Sequence, residues 1–216
     1  MKEDPKQAVP AVHVVDDDPS ILRSLSRLLR SAGYRVESFS SAEEFLLYRS
    51  HSPGVPGCAI VDLRLPGLNG LELQDGLNQQ KEPLPVIFLT GHGDIPSSVR
   101  AMKREAVDFL TKPVCAEDLL AAVQRALEAD SAAREERHRK QELRARYEKL
   151  TPREREVLVL VARGMLNKQI AFELGTAERT IKAHRAKVMA KMQVDSVAEL
   201  VRAADFLGLV SGKTPD

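Results

Sequence analysis

Three adjacent carboxylates follow an apolar run near the start of the chain. Residues 12–20 read VHVVDDDPS, which places Asp16, Asp17 and Asp18 directly after that run. Two like charges about 4 Å apart repel by roughly 4 kcal/mol at an effective dielectric of about 20, so something must offset the repulsion. Solvation at a turn is one explanation, because Asp-Pro is common in turns. A divalent cation is the other, because Mg²⁺ prefers carboxylate oxygens and water.

Three further polar residues close apolar runs of their own. Asp62 ends CAIVD, Thr90 ends PVIFLT, and Lys112 follows AVDFLT. A carboxylate can attack phosphorus and carry the phosphoryl group as an acyl phosphate. A lysine and a hydroxyl can stabilise the charge that develops in that reaction. If these side chains meet the first carboxylates, the set suits Mg²⁺-assisted phosphoryl transfer to Asp62.

The N-terminal half alternates strand and helix patterns, which would bring these residues together. Strands are predicted at 11–15, 34–39, 58–63, 85–90 and 106–111, and helices at 20–31, 41–49, 69–78, 96–104 and 116–127. This order predicts an α/β doubly wound fold with a five-stranded parallel sheet. Ligands of such sheets bind at the carboxyl ends of the strands, where all the polar residues above are found.

The motifs VVDDDPS, VDLRLPG, FLTGHGD and AVDFLTKP together resemble the receiver domain of bacterial two-component response regulators. The resemblance implies a flavodoxin-like receiver over residues 11–127, phosphorylated on Asp62 by a sensor histidine kinase. It implies that Mg²⁺ (or Mn²⁺) binds Asp17 directly, Asp16 through water, Asp62, and the backbone carbonyl of Arg64.

The same resemblance implies roles around the phosphoryl group. Thr90 and Lys112 would contact it, and Phe109 matches the aromatic switch position. Asp18 falls just past the acidic pair and is expected to be a solvated turn residue. Glu105 stands where the family usually has a glycine that ends the fourth helix in the left-handed conformation. This departure concerns the local backbone and leaves the chemistry unaffected.

Residues 128–149 form a charged segment with few apolar residues. Acidic residues precede basic ones by four positions in Asp130–Arg134, Glu135–Arg139, Glu136–Lys140 and Glu142–Arg146. Such pairs stabilise an exposed helix by about 0.2–0.5 kcal/mol each. The alternating signs therefore favour a long, solvated helical linker over a nucleic-acid patch.

Residues 150–210 predict an all-α domain of four short helices. Capping boxes begin at Thr151 and Ser196, and Asn167 and Thr176 are candidate caps for the two helices between. The third helix, AERTIKAHRAKVMAKM at 177–192, carries five Lys or Arg and one Glu. Ile181, Val188 and Met192 share one face, which should be the buried one. The arrangement fits a helix-turn-helix domain.

The opposite face of the third helix suits the DNA major groove, because small residues lie among cations. Lys182 is the expected base-edge contact, and Arg179, Arg185 and Lys187 are expected phosphate contacts. His184 shares the phase of the buried residues. The whole segment resembles the LuxR-type helix-turn-helix domain, and the chain as a whole is similar to FixJ/NarL-type regulators. The complete set of predicted DNA-binding residues is Arg179, Thr180, Lys182, Ala183, Arg185 and Lys187.

That resemblance implies a transcriptional regulator that pairs when phosphorylated. The homodimer would form through the fourth helix and fifth strand, roughly residues 95–112, and would bind double-stranded promoter DNA at two half-sites. A phosphatase acting on external substrates is the first alternative, but it would need a carboxylate where Arg64 stands. A constitutive DNA-binding protein is the second; an Asp62→Ala variant with unchanged output would support it.

The composition of the chain limits the classes of protein to which it can belong. Residues 1–127 carry 14 Lys or Arg against 17 Asp or Glu, whereas residues 150–216 carry 11 against 8, so a basic module follows an acidic one. No apolar run approaches the roughly 20 residues of a membrane span, and no signal peptide is visible. Cys58 and Cys115 lack metal-ligand spacing. These features predict a cytoplasmic protein that does not bind membranes, with a disordered N-terminus at residues 1–10.

Overall fold

The structure is a computed structural model that describes residues 9–52, 54–80, 82–91 and 106–210. The chain divides into two compact units, residues 1–134 and 135–216. The predicted helix at 96–104, Glu105 and most of residues 1–10 lie outside the described residues. Within the described ranges, none of the helices combines the length and apolar character that a membrane span requires.

The first unit is built on a parallel five-stranded sheet. Its strands are β1 (Ala11–Val15), β2 (Arg35–Phe39), β3 (Gly57–Asp62), β4 (Val86–Thr90) and β5 (Asp108–Thr111). They lie in the order β2-β1-β3-β4-β5, and every neighbouring pair is parallel. The predicted doubly wound α/β fold is therefore confirmed, with each strand within two residues of its predicted bounds.

Helices cover both faces of this sheet. They are α1 (Pro19–Ser31), α2 (Ala42–His51), α3 (Gly70–Asn78) and the first part of a long helix, α4 (Ala116–Glu148). The apolar residues of α1 and α4 pack on one face, around Val14, Leu29 and Leu119. Those of α2 and α3 pack on the other, around Phe45 and Leu73. Strands β1, β3 and β4 are buried along their whole length, which explains their near-continuous apolar sequence.

The start of β3 is packed against β1 more tightly than a side chain would allow. A Cβ atom on Gly57 would lie 1.9 Å from the carbonyl oxygen of Ala11, so only glycine fits there. The close approach lets β1 and β3 run in register from Ala11 opposite Gly57 to Val15 opposite Val61. Asp16 and Asp62 therefore follow equivalent positions on adjacent strands.

The long helix α4 differs from the predicted solvated linker in its first turns after Leu127. Asp130 is only 2% exposed, and its carboxylate accepts hydrogen bonds from Arg134 and from the backbone of Gly57. The prediction of an exposed pair was wrong here because Asp130 and Arg134 form hydrogen bonds with the backbone at and just before the start of β3. Within α4, all of which the structure describes, Asp130–Arg134 is the only one of the four predicted pairs that forms. His138–Glu142 and Arg144–Glu148 are ion pairs further along the helix.

The second unit is helical and encloses its own apolar core around Val157, Ile170, Ile181 and Leu200. Its short helices are α5 (Pro152–Ala162), α6 (Asn167–Glu173), α7 (Glu178–Met192) and α8 (Val197–Phe206). The capping box at Thr151 and the cap at Ser196 are confirmed. The predicted caps Asn167 and Thr176 were wrong. Leu166 and Ala177 hold those positions without side-chain caps, and each predicted cap misses its position by one residue.

Candidate phosphoacceptor site and DNA-binding surface

Three carboxylates meet at the carboxyl edge of the sheet. Asp16 and Asp17 follow β1, and Asp62 ends β3 beside it. One oxygen from each of the three residues lies within 4.8 Å of the others. The parallel pairing of two buried strands produces this cluster, because it brings both carboxyl ends to the same edge.

Lys112 bridges two of these carboxylates. Its Nζ donates to Asp16 Oδ2 and to Asp62 Oδ2, each at 2.6 Å. The lysine follows β5 at the sheet edge, so its long side chain crosses above β4 to reach β1 and β3. Burial lowers the pKa of Lys112, but the bonds to Asp16 and Asp62 outweigh this and raise it. The ammonium group is therefore a fixed positive charge in the cluster.

Asp16 is the most deeply buried member, with no exposed surface, whereas Asp17 is exposed. Burial raises the pKa of Asp16, because a carboxylate without water is costly. Lys112 and the backbone N–H of Asp18, which donates to Asp16 Oδ1 at 2.9 Å, act in the opposite direction. The arrangement places one buried and one solvent-facing carboxylate side by side.

Asp62 is 8% exposed and is held from both ends. The backbone N–H of Arg64 donates to its Oδ1 at 3.1 Å, and Lys112 binds its Oδ2. Gly70 lies beside it, since a Cβ there would be 2.6 Å from the Asp62 carbonyl oxygen. The Asp62 carboxylate is thus fixed in direction at the end of its strand.

Thr90 and Phe109 lie on the neighbouring strands β4 and β5. The Thr90 hydroxyl is buried and donates to the carbonyl oxygen of Gly91 at 3.1 Å. Phe109 is half-buried, with its ring centre 6.1 Å from that of Phe88. Thr90 ends its strand at the same edge as Asp62, in the register Asp62 opposite Leu89.

Asp18 has a structural role that the sequence analysis missed. Its side chain accepts a hydrogen bond from the backbone N–H of Ser20 at 2.7 Å and caps α1, with Pro19 in the first turn. The signal was present in the sequence, because Asp-Pro-Ser is typical of a helix N-terminus. Of the three adjacent aspartates, one caps a helix and two face the carboxylate cluster.

The donor set fits Mg²⁺. The ion is small and hard, and it takes one or two protein carboxylates and keeps several waters. Asp17 is the exposed member, so solvent water could reach an ion held at this cluster. A divalent cation bound here would offset the repulsion among the three carboxylates.

The second unit carries the predicted DNA-binding helix as α7. Ile181, Val188 and Met192 are buried, as predicted from their spacing. Arg179, Lys182, Ala183 and Lys187 are exposed, while Thr180 and Arg185 are partly buried. The exposed face combines cations with a small side chain, which lets a helix approach bases closely.

Two of the predicted cations are engaged by neighbours. Arg185 donates to the Asn167 side chain at 2.6 Å, which joins α7 to the start of α6. Lys182 lies 3.6 Å from Glu178 in an exposed pair. His184 is half-buried, and its Nδ1 has no hydrogen-bond partner among the described residues. Asn167 therefore orients Arg185, a contact that spacing along the chain could not reveal.

Comparisons with known proteins agree with both units. The family model described as the response regulator receiver domain matches residues 12–124, and that of the bacterial regulatory proteins of the luxR family matches residues 148–204. The chain is a two-component response regulator. More specifically, it has the receiver and LuxR-type DNA-binding domains of the FixJ type, so it is a bacterial transcriptional regulator.

Similar proteins cover nearly the whole of this response regulator. Nodulation protein W of Bradyrhizobium diazoefficiens is 48% identical over 94% of this chain and 88% of its own length. The transcriptional regulatory protein FixJ of the same organism is 43% identical over 93% and 97%, respectively. The solved structure of the response regulator StyR has a TM-score of 0.78 and 45% identity, over 92% of this chain and 99% of StyR.

Proposed function

We propose that Asp62 accepts a phosphoryl group from a sensor histidine kinase, with Mg²⁺ bound at the carboxylate cluster. The observation that carries the proposal is the double hydrogen bond of Lys112 to Asp16 and Asp62, at the edge where both carboxylates meet. A carboxylate oxygen of Asp62 forms the new bond to phosphorus, while the bond from phosphorus to the donor breaks and the donor keeps its electron pair.

The residues around Asp62 have distinct proposed tasks. Asp16, Asp17, Asp62 and the Arg64 carbonyl would hold Mg²⁺, which would neutralise phosphoryl oxygens. Lys112 would supply its fixed charge, and Thr90 would donate to a phosphoryl oxygen after turning away from the Gly91 carbonyl. Phe109 would change its packing with the state of Thr90. No turnover of external substrates is proposed, because Arg64 stands where a phosphatase needs its acid.

Phosphorylation then promotes DNA binding in this proposal. Two receivers would pair through residues 95–112, of which 106–112 are described here. The paired chains would present two copies of α7 to half-sites in promoter DNA, with Arg179, Thr180, Lys182, Ala183, Arg185 and Lys187 as the contacts. A regulator that binds chromosomal DNA in a bacterium acts in the cytoplasm, without a membrane partner.

Sedimentation and DNA titration test the proposal together. The full chain is measured with and without acetyl phosphate and Mg²⁺, at fixed salt because DNA affinity depends strongly on it. The DNA is a duplex selected from a random library with donor-treated chain. We expect a shift to dimer and tighter binding in the wild type and neither in Asp62→Ala. Equal behaviour of the two proteins would show that Asp62 is not the control point.

A further inference from the structure

A buried ionic network lies at the amino edge of the sheet, opposite the carboxylate cluster. Arg134 donates to Asp130 Oδ2 at 2.7 Å, to Glu82 Oε2 at 3.0 Å, and to the carbonyl oxygens of Gly54 and Val55 at 2.9 and 3.1 Å. Asp130 Oδ2 also accepts from the backbone N–H of Gly57 at 2.9 Å. We call this set the helix clasp, because it fixes α4 to the loops before β3 and β4.

Arg49 binds the same two loops as Arg134. It is 2% exposed and donates to the carbonyl oxygens of Val55 and Glu82, at 3.0 and 3.3 Å. Three charged side chains of the network, those of Arg49, Asp130 and Arg134, are thus largely or wholly withdrawn from water. A surface ion pair on a solvated linker would show none of this burial.

The receiver core does not account for the helix clasp. The match to the receiver family ends at residue 124, and the apolar contacts of α4 with the sheet end at Leu127. A buried ion pair is also a poor source of stability, since apolar side chains of similar size often serve as well. The pair instead fixes the orientation of α4, because the planar guanidinium of Arg134 can bind its several acceptors in only one orientation.

The position of the clasp links it to the phosphoacceptor. Strand β3 begins at Gly57, whose N–H binds Asp130, and ends at Asp62. The helix segment up to Arg134 is therefore held to the same strand that carries the acceptor, although Arg134 comes seven positions after the last core contact, Leu127. Between that contact and Arg134, the clasp supplies the side-chain hydrogen bonds that join α4 to the loops before β3 and β4.

We propose that Asp130 and Arg134 are positioning residues that couple receiver phosphorylation to DNA binding. The clasp makes residues 128–134 of α4 one body with the receiver, so a rearrangement of paired receivers is imposed on the chain that leads to the DNA-binding half. The inference rests on the proposed function. It adds that the coupling depends on the clasp, whereas phosphorylation and receiver pairing do not.

The test compares full-length variants in three measurements. Arg134→Gln removes the guanidinium group, and Asp130→Asn removes the negative charge that the guanidinium binds. Lys140→Gln is the control, because it removes a charge from an exposed position of the same helix. The measurements are the phosphorylated fraction after acetyl phosphate treatment by intact mass, dimerisation by sedimentation, and the donor-dependent gain in affinity for the selected duplex. Coupling between sites typically changes affinity about 5- to 150-fold.

We expect Arg134→Gln and Asp130→Asn to be phosphorylated and to dimerise as the wild type does, but to lose most of the gain in affinity. Arg134→Lys, which keeps the charge without the guanidinium group, should recover only part of it, and Lys140→Gln should keep it all. An unchanged gain in Arg134→Gln would overturn the inference. So would a gain that falls only in proportion to lost phosphorylation or dimerisation. A wild type without any gain would instead refute the proposed function itself.

Discussion

Acidification should weaken the receiver through His13. The imidazole lies in the middle of β1 with no exposed surface, and neither ring nitrogen has a hydrogen-bond partner among the described residues. The rings of Phe39, Phe45 and Tyr48 surround it, with centroid distances of 6.0, 5.2 and 5.7 Å. Burial, assisted by the positive charges of Arg49 and Arg35, lowers the pKa of His13 from 6.5 to about 4.

The sign and size of the effect follow from linkage. The folded receiver favours the neutral ring, so the stability contributed by His13 is complete above pH 6.5 and is lost as the pH falls towards 4. With these two pKa values, protonation of the unfolded chain lowers the free energy of unfolding by about 2 kcal/mol between pH 7 and pH 5.

Hydrogen exchange followed by mass spectrometry measures this in the full chain. Peptides from β1 and β3 report the opening of the receiver, and peptides from α5 report the second unit as an internal reference. We expect the receiver to lose about 2 kcal/mol of protection at pH 5, after correction for intrinsic exchange rates, and a His13→Leu variant to lose far less. An equal loss in wild type and variant would refute the assignment to His13.

Three further predictions concern Glu154, Gly57 and the exposed lysines of α7. Lys191 donates to Glu154 at 2.6 Å and, with the backbone N–H of Thr151, lowers the pKa of Glu154 to about 2. Glu154→Gln should therefore destabilise the second unit by about 1–3 kcal/mol in urea unfolding at pH 7, and the wild type should lose this contribution as the pH falls from about 4.5 towards 2. Gly57→Ala should cost the receiver at least about 1–3 kcal/mol in the same assay, because its Cβ would overlap the Ala11 carbonyl. In DNA titrations, Lys187→Ala should reduce the slope of log affinity against log salt by about 1 without changing sequence preference, whereas Lys182→Ala should relax specificity at one base pair by about 1–3 kcal/mol.

Most of the sheet and its polar edge could be predicted from sequence because they depend on local patterns. Short apolar runs that each end in a polar residue define both the strands and the edge where Asp16 and Asp62 meet. Parallel pairing then brings these polar residues together, because it places the carboxyl ends of the strands at the same end of the sheet. The buried face of α7 was predicted for a similar reason, from the period of Ile181, Val188 and Met192.

The features that sequence analysis missed depend on contacts distant along the chain. Asp130 looked like one half of an exposed helical pair, and only the backbone of Gly57, 73 residues earlier, shows why it is buried. Asn167 looked like a helix cap, but its side chain binds Arg185 instead. Charge patterning along a helix identifies which residues share a face, and it carries no information about what that face meets.

The two ends of the parallel strands carry different groups of residues. The carboxyl ends of the strands carry the acidic cluster and Lys112. At the other end of β3, Gly57 binds Asp130, and Arg134 binds the carbonyl oxygens of Gly54 and Val55 just before the strand. A recombinant fusion can therefore exchange everything after the receiver and leave the carboxylate cluster untouched. The joint belongs after Arg134 and not after Leu127, because a cut at Leu127 would discard the residues that orient the outgoing helix. A chimaera joined after Arg134 keeps the carboxylate cluster and the clasped segment of α4 in the same fragment.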